Sequence, residues 1–209
     1  FPEAHNNLGN ILKGAGKLEE AQSCYMNAIA RKADYVDAHY NLANTLRERE
    51  LLEDAKQQYF KTLKLQPKLA EAWYGLGQTM AELKSGPEAI EAYQRALAVK
   101  PGYVLAMVEQ LREQSQLCDW RACDLFDQYG AELGVTGAAA LPFPLLPFED
   151  HPAHQLARSR NWAKSHFSAA APISTIQPTP ADGRKIRLGY FSADVHDHAT
   201  MFLMAGILR

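Results

Sequence analysis

The stretch VDAHYNLANTLRERELLEDAKQQYFKTLKLQPKL, residues 36–69, decides the fold of the first half of this chain. Residues 2–35 before it and residues 70–103 after it align with it without a gap, and each block is 34 residues long. Five columns agree in residue character: position 4 is His, His and Trp, position 7 is Leu, position 8 is Gly, Ala and Gly, position 20 is Ala, and position 24 is Tyr. Equal blocks with matching columns indicate a tandem structural repeat.

The columns are typical of a pair of packed helices in each block. Small residues at positions 8 and 20 allow the two helices to approach closely, and large residues at positions 4, 7 and 24 fill the space between successive pairs. Pro67 and Pro101 end the second helix of their blocks, because proline cannot continue the hydrogen-bond ladder. The 34-residue period resembles the tetratricopeptide repeat. It predicts that residues 1–103 form a right-handed superhelix of helical hairpins with a concave groove.

Asparagines recur at two positions of the first helix in the first two blocks. Asn7 and Asn41 occupy position 6, and Asn10 and Asn44 occupy position 9, whereas the third block has glycine and glutamine there. Asparagine is a poor helix former, so its recurrence favours a role other than helix stability. An amide side chain both donates and accepts hydrogen bonds and can pair with the backbone of an extended peptide. We predict that these four asparagines bind a peptide in the groove; the alternative is that they are solvated or bond within the helix.

The composition narrows the class of partner and the compartment. The 209 residues carry a formal net charge of -2, which provides no broad basic field for nucleic acid or an anionic membrane surface. No run of eighteen apolar residues is present, so we expect no transmembrane helix. Cys24, Cys118 and Cys123 are too few for a disulfide framework and favour a reducing compartment, the cytoplasm. Cys118 and Cys123 would supply only half of a zinc site, and we expect them to be buried and packed instead.

The rest of the chain changes character twice. Residues 104–134 keep a helical pattern without a usable 34-residue register, and we expect them to cap the stack. Residues 135–184 read as a Pro- and Ala-rich connection with one helix near 152–168. The segment KIRLGYFSA then alternates, which predicts a strand over 185–193, a loop through His198 and an apolar helix from Thr200. The sequence thus predicts a mostly α-helical protein whose residues 185–209 begin an α/β domain that is truncated here.

Several motifs together resemble the O-linked N-acetylglucosamine transferase family, including its bacterial and plant SPINDLY-like members. They are the repeat pattern A-x-x-N-L-x-N, the segment Cys118-Asp119-Trp120, an HQLAR-type helix, and KIRLGYFSAD followed by HAT. The resemblance implies a catalytic region of two Rossmann-like lobes that transfers N-acetylglucosamine from UDP-GlcNAc to Ser or Thr of proteins, with the acceptor in the repeat groove. Since the second lobe, which binds most of the nucleotide sugar, is absent, we expect this fragment alone to be inactive. The plant-like branch implies GDP-fucose as an alternative donor.

His198 is the predicted catalytic residue. The resemblance places at this position the histidine that follows G-Y-x-S-x-D in the family, whereas Met201 and Phe202 depart from the Ser-His of animal members. The residues themselves also favour this position, because ligands of α/β sheets bind beyond the carboxyl ends of strands. The N-terminus of a following helix would keep an imidazole neutral and able to accept a proton.

Two other hypotheses stay open. His196 and His198 lie two residues apart and could reach one cation, as in a metal-dependent hydrolase, but no complete ligand set can be named. We therefore predict no metal site and no permanently bound cofactor. The second hypothesis is a non-enzymatic scaffold whose groove binds peptides. We expect protein or peptide partners, no nucleic acid and no membrane, and we leave self-association open.

Overall fold

The computed structural model describes residues 1–167, and these residues form nine α-helices. The helices are α1 Pro2–Gly14, α2 Leu18–Arg31, α3 Val36–Glu48, α4 Leu52–Leu65, α5 Ala70–Glu82, α6 Gly86–Val99, α7 Val104–Gln116, α8 Arg121–Tyr129 and α9 Pro152–His166. A π-helical turn at Glu132–Thr136 and a 3-10 turn at Phe143–Phe148 lie between α8 and α9. The described part of the chain contains no β-strand. The predicted strand over 185–193, the loop with His198 and the helix from Thr200 lie outside the described residues.

Each block of the sequence forms one hairpin of two helices, as the repeat predicts. The tyrosines at position 24 explain the small residues at position 8, because the ring of each lies against the first helix of its own hairpin. A Cβ atom at Gly9 would lie 2.6 Å from the ring of Tyr25, and a Cβ atom at Gly77 would overlap the ring of Tyr93. These phenol rings are completely buried. The close approach of the two helices therefore depends on glycine or alanine at position 8.

The leucines at position 7 join one hairpin to the next. Leu42 and Leu76 are only 4% and 2% exposed, because each packs against the hairpin that precedes it. Leu8 holds the same position on α1 and is 47% exposed, since α1 is the first helix of the described stack. Stacking, rather than the single hairpin, therefore buries the apolar side of each first helix.

The turn between the two helices of a hairpin has a left-handed residue at position 15 of every block. This residue is Gly16 with φ 76°, Glu50 with φ 61° and Lys84 with φ 63°. Cys118, with φ 54°, holds the same position if the register is continued past residue 103. The expectation that residues 104–134 have no usable register is therefore wrong as far as Cys118, and α7 and α8 form a fourth hairpin. In α8 the buried residues Ala122 and Phe126 come one position earlier than the alanine and tyrosine columns of the repeat. For this reason the sequence alone did not show the register.

Helix α9 packs on the π-helical turn that follows α8, and a buried guanidinium holds it there. Arg158 is completely buried and donates to the carbonyl oxygens of Gly130, directly after α8, and of Leu133, in the π-helical turn, both at 2.8 Å. It also pairs with the carboxylate of Glu149. Asn161 adds a bond of 3.0 Å to the carbonyl of Gly134. These donors satisfy carbonyl groups that a helix end leaves without partners.

None of the helices in the described range combines the length and the apolar character that crossing a bilayer requires.

Candidate functional site

The first helices of the four hairpins, α1, α3, α5 and α7, share a surface that we name the first-helix face. It consists of the residues at positions 5, 6, 9, 12 and 13 of each block, and its polar members include Asn6, Asn7, Asn10, Lys13, Tyr40, Asn41, Asn44, Arg47, Glu48, Tyr74, Gln78, Glu82, Glu109 and Arg112. Contacts between residues 35 apart run along this face from helix to helix. The first helices therefore lie side by side and form one surface.

The asparagines at position 9 have a structural role in addition to the predicted binding of a peptide. The Oδ1 atom of Asn10 accepts a hydrogen bond of 2.8 Å from the hydroxyl of Tyr25, and Asn44 accepts one of 2.6 Å from Tyr59. Each asparagine thus satisfies a buried hydroxyl of its own hairpin, which is a sufficient reason for its recurrence. The amide nitrogens of both asparagines make no hydrogen bond to residues 1–167. They are still available as donors to a partner.

Position 6 differs between the three blocks. Asn7 is exposed, and its side chain makes no hydrogen bond within the described residues. Asn41 donates to the Oδ1 atom of the buried Asn6 at 3.0 Å and so joins α3 to α1. In the third block the position is Gly75, where an added Cβ atom would lie 2.6 Å from the hydroxyl of Tyr59. The third block therefore lacks an asparagine because the preceding hairpin already fills the space.

The charges of the first-helix face are arranged in pairs. The basic residues of the four first helices are Lys13, Arg47 and Arg112. Lys13 pairs with Glu48 at 2.9 Å, and Arg47 pairs with Glu82 at 2.9 Å. Arg112 pairs with two glutamates of its own helix, at 2.7 and 2.9 Å. Each cation is therefore neutralised locally, and sequence spacing could have found the first two pairs, since both join residues 35 apart.

Tyrosines add neutral donors beside these pairs. The ring of Tyr74 lies 6.0 Å from that of Tyr93 and 5.2 Å from that of Tyr103. Burial raises the pKa of Tyr74 to about 12, and the charge of Glu109 adds to the rise. Burial also raises the pKa of Tyr59 far above its ordinary value, although Arg47 opposes the rise. The phenols therefore stay protonated near neutral pH, and Tyr74, which accepts from Gln78 at 3.0 Å, keeps its own O–H for donation.

The other candidate residues are found elsewhere or are not described. Cys118 and Cys123 are both exposed, so the expectation that they are buried and packed is wrong. Cys118 is in the left-handed turn after α7, and Cys123 lies on the solvent side of α8, where Ala122 faces the core. Within residues 1–167 no three His, Cys, Asp or Glu side chains group as metal ligands. His198 and His196 lie outside the described residues.

Comparison with known proteins places the repeats in one family. The sequence model of the tetratricopeptide repeat matches residues 6–68 and again residues 52–104. No curated protein matches the chain.

Solved structures share the fold at low sequence identity. The first TPR of Spaghetti (RPAP3), bound to the HSP90 peptide SRMEEVD, is 20% identical with a TM-score of 0.55, over 56% of this chain and 93% of that one. The Arabidopsis OM64 TPR domain is 23% identical with a TM-score of 0.53, over 55% of this chain and 94% of that one. A structure of MamA protein is 18% identical with a TM-score of 0.62, over 81% of this chain and 98% of that one.

Proposed function

Because residues 6–104 are tetratricopeptide repeats, we propose that the first-helix face binds an extended segment of a partner protein. Helical-repeat stacks expose long surfaces that suit such ligands. The observation that carries the proposal is the row of unused amide and phenol donors along this face, at Asn7, Asn10, Asn44 and Tyr74. Neutral donors in a row suit the carbonyl oxygens of a peptide backbone, which recur along any extended chain.

The pairing of the charges supports a preference for one kind of peptide segment. A free carboxylate at a peptide C-terminus, or a run of acidic side chains, requires cations that are not already neutralised. Lys13 and Arg47 each have a glutamate within 2.9 Å. The HSP90 peptide in the RPAP3 structure contains two glutamates and an aspartate. We propose that the present chain instead prefers internal segments of low net charge.

Titration of the full chain with two peptides tests this preference. The peptides have equal length, one neutral and capped at both ends, the other acidic with a free C-terminus. We expect the neutral peptide to bind more tightly, and Asn7→Ala to weaken its binding about fivefold through the loss of one desolvated hydrogen bond. Asn27→Ala is the matched control, because Asn27 is an exposed asparagine on α2, away from the first-helix face. Tighter binding of the acidic peptide, or equal effects of both substitutions, would contradict the proposal.

A second proposal rests on the sequence resemblance of residues 185–200. The segment KIRLGYFSAD with the following HAT supports a protein O-glycosyltransferase in which the repeats present the acceptor. His198 would then lie next to the acceptor hydroxyl, and UDP-GlcNAc would be the donor, with GDP-fucose as the alternative. In this proposal a peptide bound to the first-helix face is the acceptor substrate.

Transfer of a radiolabelled sugar by the complete polypeptide tests the second proposal. His198→Ala should abolish transfer to a protein acceptor, whereas His196→Ala should leave most of it. Full transfer by the His198→Ala variant would refute the catalytic assignment. Loss of transfer on chelation, restored by zinc, would favour the metal-dependent alternative. Absence of transfer from either nucleotide sugar, together with retained peptide binding, would leave the chain as a scaffold.

A further inference from the structure

A cavity of about 380 Å³ lies on the side of α3 that faces away from the first-helix face. His39, Leu42 and Leu46 line it from α3, and they are three to four residues apart, so they share one side of the helix. Met26 and Ile29 of α2 add apolar walls, and Gln58 and Lys61 of α4 add polar ones. Its volume falls within the ~300–1,000 Å³ of ligand pockets in general.

The next repeat shows what the equivalent space holds when it is filled. His39 corresponds to Trp73, one block of 34 residues later. The Nε2 atom of His39 lies 3.0 Å from the carbonyl oxygen of Ala33, and the Nε1 atom of Trp73 donates to the carbonyl oxygen of Pro67 at 2.9 Å. Ala33 and Pro67 are also one block apart. The imidazole of His39 and the five-membered ring of Trp73 therefore lie beside equivalent carbonyl groups. The indole of Trp73 has a further six-membered ring that extends beyond this position.

In the next repeat a cation lies against the ring of Trp73. The guanidinium of Arg95 lies 5.1 Å from the centre of the Trp73 ring, within the range of a cation–π interaction. The residue one block earlier is Lys61, which lines the cavity. The cavity beside His39 thus has a cation and apolar lining residues like those around Trp73 in the next repeat. It differs in having the smaller ring of His39 in place of the indole.

We propose that this cavity binds an aromatic side chain, above all tryptophan, presented by a partner protein. The inserted ring would occupy the space that the second ring of Trp73 fills in the next repeat, with the ammonium group of Lys61 against its face. Tryptophan is favoured because its ring attracts cations more strongly than those of phenylalanine and tyrosine. The site is separate from the first-helix face, since the residues that line it project from the opposite side of α3.

Titration of the isotope-labelled full chain with N-acetyl-L-tryptophanamide, followed by NMR, tests the site. We expect saturable shifts of the amide signals of α2, α3 and α4, and at least fivefold weaker binding of N-acetyl-L-leucinamide. His39→Trp should abolish the shifts, because it places in the cavity the residue that the next repeat carries at this position. Lys61→Ala should weaken binding about threefold through loss of the cation–π contact. Lys68→Ala, which removes the same charge from an exposed loop position, should change nothing.

Other outcomes would overturn the assignment. Equal binding of the two probes would indicate a site for aliphatic side chains. Unchanged binding in both His39→Trp and Lys61→Ala would place the probe elsewhere, and the second variant still decides if the first does not fold. Trp120 is 80% exposed and could be supplied by a second copy. Shifts of the same signals with protein concentration alone, removed by Trp120→Ala, would identify that second copy as the occupant and exclude a partner protein.

Discussion

At the scale of single residues, the position-9 asparagines show how one side chain serves two purposes. The oxygen atoms of Asn10 and Asn44 satisfy the buried hydroxyls of Tyr25 and Tyr59, while their amide nitrogens stay available at the surface. The third repeat lacks this arrangement. The buried hydroxyl of Tyr93 has no hydrogen-bond partner among the described residues.

This difference predicts opposite effects of the same substitution. Tyr59→Phe should lower the free energy of unfolding by about 1 kcal/mol, because it removes a hydrogen bond and leaves the Oδ1 atom of Asn44 without its donor. Tyr93→Phe should raise it by about 1 kcal/mol, because it removes a buried hydroxyl that has no partner. Urea denaturation of the two variants beside the wild type measures both effects. Destabilisation of equal size in both variants would show that the Tyr93 hydroxyl has a partner after all.

At the scale of helices and turns, one backbone conformation recurs four times with four different residues. Position 15 of each hairpin is left-handed, and only Gly16 is a glycine. A residue with a Cβ atom pays roughly 1–2 kcal/mol in that region. Glu50, Lys84 and Cys118 therefore hold conformations that their side chains disfavour, and stacking of the hairpins compensates for the strain.

Glycine at such a turn should stabilise the stack. Glu50→Gly should raise the free energy of unfolding by about 0.5–1 kcal/mol, since relief of the left-handed strain exceeds the entropy lost by glycine. Gln57→Gly, in the middle of α4, should lower it by about 1 kcal/mol, because glycine disfavours a helix interior. The urea midpoints of the two variants measure the contrast. A lower midpoint for Glu50→Gly would mean that its side chain contributes more than its backbone conformation costs.

At the scale of the whole described stack, the two ends differ in kind. The first end exposes the side of α1 on which Leu8 lies. At the other end, α7 is covered by α8 and the 3-10 turn at Phe143–Phe148. There Arg158 of α9 joins the carbonyl groups of Gly130 and Leu133 to the carboxylate of Glu149. Because Arg158 is completely buried, removal of its carboxylate partner leaves a charge that water cannot solvate. The stability of this end therefore depends on the ionisation of Glu149.

Acid should weaken this end of the stack. Burial raises the pKa of Glu149, but its bonds to His154 and Arg158 outweigh burial and hold the pKa below its ordinary value of 4.5. A carboxyl group whose pKa is lower in the folded state than in the unfolded state stabilises the fold when it is ionised. This stabilisation is complete above pH 4.5 and is lost as the pH falls through the pKa of the folded state. Urea midpoints should therefore fall below pH 4.5 more steeply in the wild type than in Glu149→Gln. Glu132→Gln removes an exposed carboxylate and serves as a control. If the urea midpoint of Glu132→Gln depended on pH as weakly as that of Glu149→Gln, the assignment to Glu149 would be contradicted.

Much of the fold could be predicted from the sequence because its cause is local and periodic. Columns of leucine, alanine, glycine and tyrosine at a fixed spacing suffice to place six helices and to pair them. The fourth hairpin was missed because Ala122 and Phe126 shift by one position after the turn, so the columns no longer align although the packing continues. The candidate site was only partly predictable, since the sequence showed that asparagines recur without showing which of their atoms are engaged.

The sequence by itself determined the repeat register, the hairpins, and the small residues that allow their tyrosines to pack. Only the tertiary structure decided which polar groups are free, because hydrogen bonds and ion pairs join residues from different repeats. It paired Lys13 and Arg47 with glutamates on the first helix of the next hairpin. It also placed the hydroxyl of Tyr59 in the space that a side chain in place of Gly75 would need. It also left a cavity beside His39, at the position where the next repeat carries the larger ring of Trp73. Periodicity specifies which helices meet, whereas the volumes and donors of the side chains that face each other decide what remains for a partner.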